Sequence, residues 1–117
     1  MMRNGRAISE ERRYRRGMEQ VMRDYELVFI AIPTLDEQAL VTLNERVAGW
    51  ITGAKGTVLD TKVWGRQKLA YAIRKQTEGI YVQINFQLVP SACRELERSL
   101  RIDEQVIRHL VVRPDLS

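Results

Sequence analysis

One cysteine, one histidine and three prolines are all that this 117-residue chain holds of those types. No apolar run approaches the roughly 18 residues needed to cross a bilayer. With Cys93 alone no intramolecular disulfide can form, and no secretory signal is recognisable ahead of the patterned part, so a cytoplasmic, reducing location is expected. Cys93 and His109 are too few for a zinc site. Catalytic groupings are equally scarce. Asp36 and Glu37 fall in the first turn of an expected helix, where the helix dipole accounts for them. Cys93 falls on an apolar helical stripe, as a small core residue does. The segment from Thr52 to Thr57 sets a lysine between glycines, but it follows a helix and enters a strand, the reverse of a phosphate loop. No catalytic residue, metal or cofactor is therefore expected.

Charge is present but unevenly placed. The net value is +4. Arg3, Arg6, Arg12, Arg13, Arg15 and Arg16 face only Glu10, Glu11 and Glu19 within the first 22 residues, whereas the remainder has thirteen basic and twelve acidic side chains. Residues 1–21 show no sustained apolar period, which predicts a basic, disordered extension ahead of a single domain over 22–117. Two readings of the extension stand: an over-long N-terminus before Met22, or a basic arm that reaches phosphates.

From Arg23 the pattern alternates, with Tyr25, Leu27, Phe29 and Ala31 on one face and Glu26, Val28, Ile30 and Ile32 on the other. A strand apolar on both sides is expected to be central. Thr34 and Glu37 have capping-box spacing for a helix with a Leu40, Leu43, Val47 and Trp50 or Ile51 stripe, closed by Gly53 and Gly56. A long strand from Thr57 to Ile73 follows, with a bulge or bend expected at Gly65 and a turn expected at Glu78 and Gly79. Ile80, Val82, Ile84, Phe86 and Leu88 then alternate with polar residues or Tyr81. Pro90 and Ser91 are expected to open a helix with Cys93, Leu96 and Leu100 on one face, before a last strand over 106–113. The register of that strand can be read with Arg108, Leu110 and Val112 inward, or with Ile107, His109 and Val111 inward, which leaves the role of His109 open.

Strand, helix, strand, strand, helix, strand predicts an α+β, ferredoxin-like split βαβ sandwich. Right-handed crossovers place both helices on one face of a four-stranded antiparallel sheet. The densest basic stretch of the domain, residues 62–75, allows two uses. Its Lys and Arg residues could discourage edge pairing, or they could hold phosphates while Trp64 and Tyr71 offer stacking surface or meet a protein partner. Fold alone leaves a rival open, a ferredoxin-like regulatory module that binds a small ligand or its own copy. An RNA recognition motif fits poorly, since the strand around Gly79 to Phe86 lacks the leading basic residue and misplaces the aromatics.

Met22, Arg23, Asp24, Tyr25 and Glu26, the turn from Pro33 to Asp36, and above all Gly65, Arg66, Gln67, Lys68, Leu69, Ala70, Tyr71, Ala72 and Ile73 resemble motifs of the bacterial small-subunit ribosomal protein six family. Leu100, Arg101, Ile102 and residues 106–113 are similar to its closing helix and strand. Ala72 stands where that family usually has proline, and Asp24 where some members carry a basic residue. The resemblance covers 22 to about 113 and implies a non-catalytic ribosomal protein. Such a protein pairs with small-subunit ribosomal protein eighteen, binds the central domain of the small-subunit ribosomal RNA, and acts on no membrane or small-molecule substrate. Positions in or beside the matching motifs nominate Arg23, Arg66, Lys68, Arg101, Arg108 and Arg113 for phosphate contact. An exposed sheet edge or face would receive the protein partner.

Overall fold

A computed structural model describes residues 21–114, so the extension expected over 1–21 lies, but for Val21, outside them. The elements are β1 (Arg23–Ala31), α1 (Glu37–Gly53), β2 (Thr57–Ile73), β3 (Gln76–Leu88), a 3-10 turn (Pro90–Ala92), α2 (Cys93–Ile102) and β4 (Val106–Val112). They form one four-stranded sheet in the order β2-β3-β1-β4, every neighbouring pair antiparallel. The two apolar-rich strands, β1 and β3, are central as their patterns require, and they pair without interruption from Arg23↔Leu88 to Ala31↔Ile80.

Period two on the strands and the helical period on α1 and α2 meet in one core. Leu27, Phe29, Val82, Ile84 and Phe86 from the sheet pack with Leu43, Val47 and Ile51 of α1 and Leu96 and Leu100 of α2. Tyr25 stacks on Phe86 across the two central strands, with ring centroids 5.5 Å apart. Both helices therefore cover the same sheet face, and the architecture is the ferredoxin-like sandwich expected from the order of elements.

Local details depart from expectation for identifiable reasons. The N-cap of α1 is Asp36 rather than Thr34: its carboxylate accepts the Ala39 N–H at 2.7 Å, and Glu37 falls inside the first turn. A 3-10 turn over Pro90–Ala92 precedes the α-helix, which starts at Cys93 rather than at Pro90 or Ser91. In β2, Gly65 takes φ 91° and the register slips between Val63 and Gly65, so the expected bulge is there and Trp64 is its extra residue.

The β2–β3 turn lies at Arg74 and Lys75, with φ 48° and 67°, rather than at Glu78 and Gly79. Two left-handed side-chain-bearing residues have the backbone sign that suits a tight hairpin, at a cost of about 1–2 kcal/mol each. Gly79 serves a different purpose. It sits in β3, where an added Cβ would collide with the Ile30 side chain and come 3.3 Å from the Ala31 carbonyl oxygen. Ile30 is β-branched and buried, so it has little freedom to yield. Gly79→Ala is expected to destabilise the fold by about 1–3 kcal/mol through overpacking. Chemical denaturation checks this, and an unchanged midpoint would show that Ile30 relaxes without cost.

Candidate nucleic-acid interface

Because the helices take one face, the other shows Glu26, Val28 and Ile30 of β1, Tyr81, Gln83, Asn85 and Gln87 of β3, and Arg108, Leu110 and Val112 of β4. Its two ends differ. Toward the start of β1, polar side chains bond to one another: Gln83 donates to Asn85 at 3.0 Å, Asn85 to Asp60 at 2.7 Å and Gln87 to Asp24 at 2.9 Å. Toward the end of β1, the face is apolar and the hairpin folds back over it. Val28, Ile30, Leu69, Tyr71, Tyr81 and Leu110 there line an open cavity of about 360 Å³.

The strand registers sort the candidate phosphate ligands. Arg66 pairs with Ile80, which pairs with Ala31, which pairs with Val106. Arg66, Lys68 and Arg108 thus occupy the hairpin end of the sheet, where α2 also delivers Arg101 in its last turn. Arg23 and Arg113 stand at the opposite end, where both act electrostatically on the Tyr25 hydroxyl. Arg66, Lys68, Arg101 and Arg108 are exposed, and Lys68 faces Glu78 across the hairpin. Trp64 is 58% and Tyr71 63% exposed, but they lie apart in use: Trp64 projects from the edge-strand bulge, whereas the Tyr71 hydroxyl accepts a 2.8 Å hydrogen bond from the Arg108 guanidinium.

Two arginines outside the six nominated positions also matter. Arg46 on α1 donates to Asp103 at 3.0 Å and to Gln105 at 2.8 Å, tying that helix to the loop ahead of β4. Arg74 in the hairpin turn donates to the Val106 carbonyl at 3.2 Å, so the turn reaches β4. Arg74 belongs to the basic stretch visible in the sequence, but nothing in its neighbours signals that the hairpin would carry it across the end of β1.

The last strand turns His109 and Val111 inward, but not Ile107. Phe29 pairs with His109 and Leu27 with Val111 on the helix side, while Arg108 and Leu110 face the open side. A register shift between Ile30 and Ala31 then brings Val106 instead of Ile107 opposite Ala31 and into the core. His109 is half-buried beneath α2, and burial lowers its pKa, with Arg101 lowering it further and Glu97 opposing. At the other end, burial pushes the Tyr25 hydroxyl up to about 12, with the neighbouring Cys93 thiol adding to the effect. Burial likewise raises the Cys93 thiol, which keeps it protonated at neutral pH and packed beside the core.

Fold and surface together define a ferredoxin-like α+β protein with exposed Arg66, Lys68, Arg101 and Arg108 toward its hairpin end, and among the described residues no group of side chains could hold a metal ion. The family model described as Ribosomal protein S6 matches residues 24–113. The Small ribosomal subunit protein bS6 of Cutibacterium acnes is 44% identical over 95 residues, covering 81% of this chain and 99% of its own. That of Clostridium novyi is 47% identical over 94 residues, covering 80% and 99%. The crystal structure of 30S ribosomal protein S6 from Thermotoga maritima superposes with a TM-score of 0.76 at 35% identity, covering 82% of this chain and 92% of that one. The chain belongs to the ribosomal protein S6 family.

His109 gives the folded state a pH dependence. Its pKa is depressed on folding, so the unfolded chain binds the proton more readily. The stabilisation due to neutral His109 is complete above the unfolded value of about 6.5 and is lost as pH falls through the folded value. Urea midpoints measured from pH 7.5 to 5 should drop more steeply for the parent than for His109→Gln. Parallel curves would contradict the assignment.

Proposed function

We propose that this chain is a non-catalytic component of the small ribosomal subunit in the cytoplasm. On this reading it binds the central domain of the small-subunit ribosomal RNA together with small-subunit ribosomal protein eighteen. Membership of the family across 24–113 supports the assignment. The observation that carries the binding mode is the placement of exposed Arg66, Lys68, Arg101 and Arg108 toward the hairpin end of a near-neutral domain. Arg23 and Arg113 would extend the contact at the far end. Such side chains give position and salt-dependent affinity, and discrimination then comes from the shape of a folded RNA junction. The partner protein takes the open face, where Leu110 is 62% exposed beside the apolar cavity and offers surface that a near-neutral domain would otherwise leave wet. Trp64 is the stacking candidate, because Tyr71 already bonds to Arg108. Residues 22–117 form the ribosomal domain and 1–21 its extension.

A second reading draws on one observation. The apolar cavity of about 360 Å³, with a hydroxyl and a guanidinium at its margin, falls in the size range of small-ligand sites. A ferredoxin-like ligand-binding module would use it without any ribosome. Co-sedimentation with small subunits from the organism's own lysate separates the two, since the ligand module would remain in the supernatant.

For the residue assignment, filter binding to the central-domain junction RNA is measured with and without protein eighteen over a range of salt. Lys68→Ala combined with Arg108→Ala should weaken binding about tenfold or more and lower the salt slope by roughly 1.4–1.8, two phosphate contacts' worth. Parent-like affinity and slope in the double variant would reject these two contacts.

A further inference from the structure

Where β4 begins, the hairpin turn, the last turn of α2 and the strand edge enclose a small notch of about 220 Å³, lined by Arg74, Leu100, Arg101, Val106, Arg108 and His109 with Ile107. The hairpin turn, the last turn of α2 and β4 each contribute an arginine to its lining, and no carboxylate-bearing residue is among them. No ion pair engages Arg74, Arg101 or Arg108 among the described residues, and Glu97, which together with Arg101 acts on His109, is the carboxylate that opposes them. Like charges brought this close repel, and the repulsion is relieved when an anion enters.

Two of the three guanidiniums are also held in place. Arg74 is fixed by its bond to the Val106 carbonyl, and Arg108 by its bond to the Tyr71 hydroxyl. Each of these bonds uses a single guanidinium nitrogen, so both side chains keep further N–H donors for an incoming oxygen anion. The turn itself is informative. Arg74 and Lys75 hold a left-handed backbone where Asn-Gly would fit without strain, so the chain tolerates a poorer turn that brings a guanidinium to β4.

We propose that Arg74, Arg101 and Arg108, with His109 beneath them, form a discrete site for one phosphate group of the RNA backbone. The inference rests on the RNA-binding reading and sharpens it: one phosphodiester is clamped from three sides, while the remaining cations make independent, looser contacts. The notch has room for a phosphate group, and its arginines supply the donors that a phosphate takes. Arg74 thereby becomes a binding residue that neither its sequence neighbours nor the family motifs nominate.

Inorganic phosphate is the probe. Arginine Nε–H and His109 resonances of the full chain are followed by NMR during phosphate titration at constant ionic strength. Saturable shifts confined to Arg74, Arg101, Arg108 and His109 are expected. Measured against Lys75→Gly as the reference, so that only Arg74 differs, Arg74→Asn with Lys75→Gly keeps a favourable hairpin turn and should weaken phosphate binding at least about tenfold, as loss of one charge-assisted hydrogen bond implies. It should also lower the salt slope of RNA binding by about 0.7–0.9. Arg94→Gln, on an exposed position at the start of α2, should change neither. Unsaturable shifts spread over all arginines, or saturable shifts that survive in the turn variant, would overturn the site. Should phosphate saturate the notch while the parent chain binds no RNA, the anion site stands and the ribosomal RNA reading falls.

Discussion

The apolar layer between one sheet face and two helices is the interaction on which the rest of the molecule depends. Leu27 and Phe29 of β1, Ile84 and Phe86 of β3, Leu43, Val47 and Ile51 of α1, and Leu96 and Leu100 of α2 are all fully or almost fully buried in it, and no polar or charged residue shares that burial among those described. Such a layer stabilises by removing apolar area from water, and it can only be formed once. The second sheet face is left without a covering element, and its management accounts for most of what is individual about this protein.

That face is handled in two ways along its length. At one end amides and carboxylates satisfy one another in the Gln83, Asn85 and Asp60 chain and the Gln87 and Asp24 pair, which lets polar groups lie flat on the sheet. At the other end the hairpin doubles back, placing Leu69 and Tyr71 above Val28 and Ile30. Close approach at Gly79 permits the crossing, and Arg74 and Tyr71 fasten it to β4 through Val106 and Arg108. The same crossing concentrates charge. Arginines of the hairpin, α2 and β4 come together where the hairpin reaches the start of β4.

Electrostatics then follow geometry more closely than composition. With thirteen basic and twelve acidic side chains outside the first 22 residues, the domain has almost no net charge, yet the strands carry Arg66, Lys68 and Arg108 to the hairpin end. Asp103 is removed from that balance by Arg46, which uses it to fix the loop leading into β4. A polyanion would sense the local field within a Debye length, about 10 Å at moderate salt, and not the sum over the chain.

Element types and their order were determined by the sequence, because period two in residues 80–88 and the helical stripe through Leu43, Val47 and Ile51 are local properties that any packing must respect. The bulge at Gly65 was legible for the same reason. So were Arg66, Lys68, Arg101 and Arg108 as candidates, through their motifs. Tertiary structure decided what depends on neighbours remote in the chain. The hairpin turn lies at Arg74 and Lys75 while Gly79 packs against Ile30, and a glycine read alone cannot distinguish a turn from a close approach. His109 faces inward because it pairs with Phe29, and a bulge opposite Ile30 and Ala31 puts Val106 in the place of Ile107, neither of which a single-strand pattern encodes. Whether six scattered cations form one surface or two was likewise fixed by strand register, since register sets which end of the sheet each side chain occupies.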